Sequence, residues 1–282
     1  MLTALLALAS SVSWGLSDFL GGFQSRRHHL LAVMLLSQAV ALAILVAVVL
    51  AGAPTEHDAA ATAWAATVGV LGLLGLVAFY RALAIGTMSI VAPISATGVS
   101  IPVLVGLFSG ERPAALQVAG MVLACCGVVL AARAAPTTDA EARRTGRTAV
   151  ALALVAAIGF GSFFAGIDRA EQTADVAWVL LAARVADMVV LLAAAAVVRP
   201  RIPTAAGALA AVAAVGFFDL LANFLFVIAT GRGLLSVVGV LSSLYPAVTV
   251  LLARFILHER LSRAQGAGVI ITLTGVVALA AG

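Results

Sequence analysis

Apolar residues run through this 282-residue chain in long blocks, broken at intervals by short clusters of Gly, Pro and charged residues. The hydrocarbon core of a bilayer is about 30 Å thick and a helix rises about 1.5 Å per residue, so one crossing takes roughly 20 mostly apolar residues. Windows of that kind fall at 2–22, 30–50, 62–85, 88–109, 114–134, 148–168, 175–198, 204–230, 234–256 and 263–281. Arg26, Arg27, His28 and His29 close the first. Gly52, Pro54, Glu56, His57 and Asp58 close the second, and Gly86 with Thr87 marks a very short third connection. None of the windows alternates with the period of two that a barrel strand needs. In lipid a helix satisfies every backbone N–H and C=O within its own segment. The pattern predicts an all-α integral membrane protein with ten transmembrane helices.

Composition names the solvent. With 63% hydrophobic and 10% charged residues and a mean hydropathy of +1.19, the chain lacks the polar surface that would cover a water-soluble domain. Leu5 to Ser11 resembles the core of a secretory signal. No basic residue precedes it and nine more apolar windows follow, so it reads as a first crossing that stays in the protein. Cys125 and Cys126 are adjacent in the fifth window, which argues against a disulfide framework and for small buried packing residues. All 16 basic residues are arginine, which removes lysine-centred chemistry. The arginines scatter over short loops, so the net charge of +4 marks no nucleic-acid surface.

The chain repeats itself. An offset of 148 brings Glu111, Arg112, Gln117, Ala119, Gly120, Gly127, Val128, Val129 and Ala132 onto identical residues at 259, 260, 265, 267, 268, 275, 276, 277 and 280. An offset of 146 pairs Leu6, Ala7, Leu8 and Gly15 with Leu152, Ala153, Leu154 and Gly161, and sets Trp14 against Phe160. The one long polar stretch lies between the halves. This gives a first five-helix repeat at 1–135, a polar linker at 136–147 and a second five-helix repeat at 148–282. Five crossings is an odd number, so the second half sits upside down relative to the first, the recurring plan of secondary transporters.

The run Leu241-Ser242-Ser243-Leu244-Tyr245-Pro246-Ala247-Val248-Thr249, followed by Leu257-His258-Glu259-Arg260-Leu261, Gln265 and Gly275-Val276-Val277, resembles the second EamA repeat of the drug/metabolite transporter superfamily. A fainter copy lies in Trp14-Gly15, Phe79 to Ala84, Ser89 to Pro93 and Glu111-Arg112, with Thr97 and Gly98 where the second half has Tyr245 and Pro246. The resemblance implies two inverted EamA-type repeats and a cavity lined mainly by helices 1, 3, 4, 6, 8 and 9. It also implies carriage of small polar or amphipathic molecules without ATP, often outward, and cytoplasmic termini. The arginines speak differently on orientation. Most of those in loops fall in the odd-numbered connections, which places those connections in the cytoplasm and both termini outside.

Ionisable groups at membrane depth cost several kcal/mol by insertion scales, about 2.5–3.5 for Arg or Asp, so each is a candidate for function. Asp18 lies one helical turn from Trp14 and two from Ser11, a face suited to a cationic group or a proton; the alternative is an ion pair with Arg26 or Arg27. Asp219 and Asn223 are four apart, with Phe226 nearly continuing their face, which points to a water-accessible lumen or to helix–helix hydrogen bonding. Arg184 and Asp187, three apart, are expected to pair with each other. Arg81 and Tyr80, near the end of the third window, could meet an anionic group; the alternative, favoured for Arg81, is a side chain that snorkels to the interface. Ser242, Tyr245 and Thr249 share a face interrupted by Pro246, and Pro93 and Thr97 are similarly spaced. Glu111 and Glu259, beside Arg112 and Arg260, read as interfacial pairs or loop anchors. The expected substrate site is therefore Trp14, Asp18, Asp219, Asn223 and Tyr245, with Asp219 as proton-coupling candidate, because a carboxylate in a poorly solvated lumen can exchange protons near neutral pH.

A secondary transporter, moving an amino-acid-like or drug-like metabolite outward across the plasma membrane by alternating access, accounts for these features. A membrane-embedded enzyme would need His-Glu-x-x-His, Gly-x-Ser-x-Gly or paired catalytic aspartates in context, and a passive channel a filter-like loop; none is visible, so no catalytic residue is expected. No Walker-A pattern occurs. The expected partners are the substrate and lipid, with no cofactor, no metal and no nucleic acid, in a monomer or homodimer.

Overall fold

Apolar blocks without strand-like alternation become helices because the backbone in lipid has only itself to bond with. The computed structural model describes residues 2–52, 58–101, 104–105, 114–131, 140–171, 174–230, 232, 238, 241–242 and 244–281, with no strand among them. Its helices are α1 (Leu2–Ser25), α2 (Leu30–Gly52), α3 (Ala59–Ile85), α4 (Met88–Ala96), α5 (Ala115–Ala131), α6 (Ala140–Glu171), α7 (Val176–Val198), α8 (Ala206–Thr230), α9 (Tyr245–Ile256) and α10 (Arg263–Ala281). Six of these, α1, α2, α3, α6, α7 and α8, hold apolar spans long enough to cross a bilayer; α5, α9 and α10 are shorter and apolar. α4 tightens into a 3-10 turn at Thr97–Val99. α6 begins inside the interval 136–147 read as the linker, and its apolar span starts at Gly146. Glu111 and Arg112 lie outside the described residues.

Local signals set several ends. Asp58 caps α3 by accepting from the Ala60 and Ala61 amides at 3.2 and 3.1 Å, satisfying N–H groups that the first turn leaves open. Pro246 sits in the first turn of α9, where its missing N–H breaks no intrahelical bond.

The halves interleave. α1 lies on α8 and α3 on α6; α2 meets α7 and α8, and α7 meets α3; α1 meets α9 and α4 meets α6; α5 pairs with α10 and α4 with α9. Exchanging α1 with α6, α2 with α7, and so on turns each of these pairings into another of the set, as a pseudo-two-fold would, while α1 also meets α3 without a counterpart between α6 and α8 of similar extent. Individual glycines obey it. A Cβ on Gly69 of α3 would lie 2.8 Å from the Ala183 Cβ of α7. At an offset of 147, a Cβ on Gly216 of α8 would strike the carbonyl of Ser37 in α2. In the α5–α10 pair a Cβ on Gly127 would lie 2.8 Å from the Gly268 carbonyl oxygen, and one on Gly275 would lie 2.7 Å from that of Gly120. Small residues are used here as in other membrane bundles, to let backbones touch. Because α5 turns Gly120, Ala124 and Gly127 toward α10, Cys125 and Cys126 are exposed on its outer side rather than buried as their type suggests.

Polar seams add to the packing. Ser10 and Ser17 of α1 donate to the Ala222 and Val215 carbonyls of α8 at 2.8 and 2.9 Å. Thr249 of α9 donates to the Gly15 carbonyl at 3.3 Å.

Candidate functional site

A cavity of about 150 Å³ opens between the halves, lined by Trp14 and Asp18 of α1, Gln38 of α2, Gly69, Gly72, Leu73 and Leu76 of α3, Phe160, Phe163 and Phe164 of α6, Leu180, Ala183, Arg184 and Asp187 of α7, Asp219 and Asn223 of α8, and Tyr245 of α9. All five residues selected from the sequence line it. The walls include α2 and α7, which the family resemblance does not predict, and α4 supplies no lining residue among those described.

The two-fold passes through this space. At an offset of 146, Trp14, Asp18 and Gln38 match Phe160, Phe164 and Arg184; at 147, Gly72 and Leu76 match Asp219 and Asn223; both members of every pair line the cavity. The aromatic walls repeat as well. Trp14 meets Phe226 with ring centroids 5.8 Å apart, and Phe160 meets Phe79 at 5.5 Å. The edge of Tyr245 stands against Trp14 at 6.0 Å.

The charges are not symmetric. Arg184 donates from Nη2 to Asp219 Oδ2 at 2.5 Å and from Nη1 to Gln38 Oε1. The expected pairing of Arg184 with Asp187 is therefore replaced by a link from α7 to α8 and α2. The planar guanidinium presents its donors in one fixed fork, and here the two nitrogens Nη1 and Nη2 reach acceptors on two other helices. Asp187 is 7% exposed and its Oδ1 is buried without a hydrogen-bond partner. Asp18 has no hydrogen-bond or ion-pair partner among the described residues, and Asp219 stands close enough to act on it by charge. The alternative of a pair with Arg26 or Arg27 does not form, since Arg26 turns to other groups and Arg27 covers the Phe23 ring at 4.2 Å. Asn223 donates to the Asp219 carbonyl at 2.7 Å, one turn back on its own helix. Arg81 is exposed, away from the cavity.

At one end the lining gives way to apolar residues. Beyond Asp18 on α1 and Leu76 on α3, the side chains of Phe19, Phe79, Tyr80, Leu83, Met88 and Ile94 form a buried apolar cluster. Beyond that cluster the connections are tied together. Glu259 accepts from the amides of Met88 and Ser89, each at 2.9 Å, and from Ser89 Oγ at 2.8 Å. Arg26 donates to Glu259 at 3.3 Å and to the carbonyls of Leu83 and Gly86 at 3.1 and 2.8 Å. A carboxylate at a helix N-terminus satisfies open N–H groups and meets the positive end of the dipole, so Glu259 caps α4 from the opposite half. The sequence marks Glu259 as a loop anchor; what it anchors comes from the fold. Among the described residues no group of three His, Cys, Asp or Glu is placed to hold a metal.

The EamA-like transporter family model matches residues 1–133 and again 147–281, nearly the whole chain in two copies. The chain belongs to the EamA-like transporter family. A solved crystal structure, described only as that of a protein, is 18% identical and superposes over 98% of this chain and 96% of its own length with a TM-score of 0.67, a likeness of fold. No curated protein matches the chain significantly. Membership of the family and the six long apolar helices make this a multi-pass membrane protein of a transporter family.

Proposed function

We propose that this EamA-family chain is a secondary carrier that exports a small polar or amphipathic metabolite across the plasma membrane by alternating access. Ten crossings in two inverted five-helix repeats form the carrier, and the odd-numbered connections face the cytoplasm as their arginines favour. The observation that carries the reading is a cavity between the halves, lined by charged and aromatic side chains of both, with a buried apolar cluster and the Arg26–Glu259 tie at one end. In a carrier that cluster and tie close one side; a passive pore would need an open path there. Trp14, Asp18, Asp219, Asn223 and Tyr245 hold the substrate. Asp219 is the group that couples transport to protons, and in this conformation it is paired with Arg184.

Purified protein in proteoliposomes, offered a metabolite panel with and without a pH gradient, tests this. Saturable, gradient-dependent flux is expected, and Asn223→Ala and Tyr245→Phe should raise the half-saturating concentration without reducing insertion. Linear, gradient-independent flux would mean a pore, and unchanged saturation in both variants would place the substrate elsewhere.

A further inference from the structure

Of the charged groups on the cavity, three are carboxylates, Asp18, Asp187 and Asp219, and one is a guanidinium, Arg184. The guanidinium is already committed, to Asp219 and Gln38. Among the described residues no second basic side chain lines the cavity to receive a substrate carboxylate or phosphate, while neither Asp18 nor Asp187 accepts a hydrogen bond, and Arg184 reaches Asp187 only through its charge. Asp187 is the sharper case: it is 7% exposed, lies on the cavity wall, and holds a buried oxygen with no hydrogen-bond partner. A buried polar atom without a partner costs free energy, and a ligand that supplies a donor removes that cost. Around these acids stand the faces and edges of Trp14, Phe160 and Tyr245. Aromatic faces attract a poorly hydrated cation and accept a flat apolar body.

Resting on the transporter reading above and deepening it, we propose that the substrate is an organic cation, a single ammonium on a flat apolar body, recognised by Asp187 and Asp18. The ammonium donates to the Asp187 carboxylate and draws on the charge of Asp18, and the ring system lies among the aromatic side chains. Arg184 stays with Asp219 and Gln38, which leaves Asp187 and Asp18 as the acids open to the ammonium. A zwitterion or an anion of the same shape brings a carboxylate that meets three acids and, among the described residues, no uncommitted cation.

Equilibrium dialysis of the purified full chain separates these cases with three probes of one ring and one chain length: 2-phenylethylammonium, phenylalanine and 3-phenylpropionate. The wild-type protein is expected to bind the cation saturably and at least about tenfold more tightly than the zwitterion or the anion, the scale of one charge-assisted contact. Asp187→Asn should weaken cation binding about tenfold, and Asp18→Asn, on a different helix, should weaken it in the same direction if Asp187→Asn proves unstable. Equal or tighter binding of phenylalanine or 3-phenylpropionate, no binding of the cation, or unchanged cation binding in both variants would overturn the proposal. Each of those results leaves the carrier reading intact, because that reading fails on a different measurement: flux in liposomes that is absent for the whole metabolite panel, or linear and independent of the gradient.

Discussion

Gly69 against Ala183 and Gly216 against Ser37 are one contact made twice, and so are the Gly127 and Gly275 contacts between α5 and α10. In the lumen the same symmetry brings unlike residues together: Asp18 answers Phe164, Asp219 answers Gly72, Asn223 answers Leu76 and Arg184 answers Gln38. The halves share a frame where backbones meet and differ where side chains face the cavity. A frame contact fails if either copy grows, because backbones meet there. A lumen position faces open space, so one copy can become charged while the other stays apolar, and that asymmetry gives the cavity a direction in which a ligand must lie.

The frame half of the comparison carries the largest expected effect. Gly69→Val and Gly216→Val should each destabilise the bundle by about 3 kcal/mol or more, since overpacking a backbone contact cannot be relieved by a rotamer change. Detergent-solubilised melting curves check this; a large effect at one position and none at its mate would break the two-fold argument. Next comes Arg184→Gln, which leaves Asp219 without its cation. Loss of one partner of a buried pair costs about 3–5 kcal/mol, and the lower end applies because both side chains remain partly open to the cavity, at 18% and 28% exposure. Adding Asp219→Asn should restore part of the loss, while Gln38→Ala, at the mate of Arg184, should cost about 1 kcal/mol. Recovery absent from the double variant would deny the pair.

Smaller still is Glu259→Gln, which keeps the shape of the α4 cap but removes its charge from the helix terminus and from Arg26. A loss of about 1 kcal/mol is expected. A thiol introduced at Phe19, beneath the cap, should then react faster with a water-soluble reagent. Unchanged labelling would remove the tie from the seal.

Much of this was legible from residue order. The apolar blocks gave the helices, the repeated glycines gave the two-fold, and polar residues in helical register at Asp18, Asp219 and Asn223 all reached the cavity. Periodicity ranks the faces of a helix but is silent about which helix stands opposite. Hence Arg184 was matched with Asp187, three residues away, when its partners lie 35 and 146 residues away in sequence. For the same reason the small size of Cys125 suggested burial, although the face that turns inward is the one bearing Gly120, Ala124 and Gly127. Glu259 could be read as an anchor from its place at a helix end, but its target on α4 needed the fold.

The central claim is that the asymmetric lumen is a transport site coupled through Asp219. It is tested most directly by measuring flux of the solute panel in proteoliposomes under an imposed pH gradient, for the wild-type protein and for Asp219→Asn. The account predicts saturable, gradient-driven accumulation in the wild type, and in Asp219→Asn exchange of solute across the membrane with accumulation lost. Full gradient-driven accumulation by Asp219→Asn would contradict it.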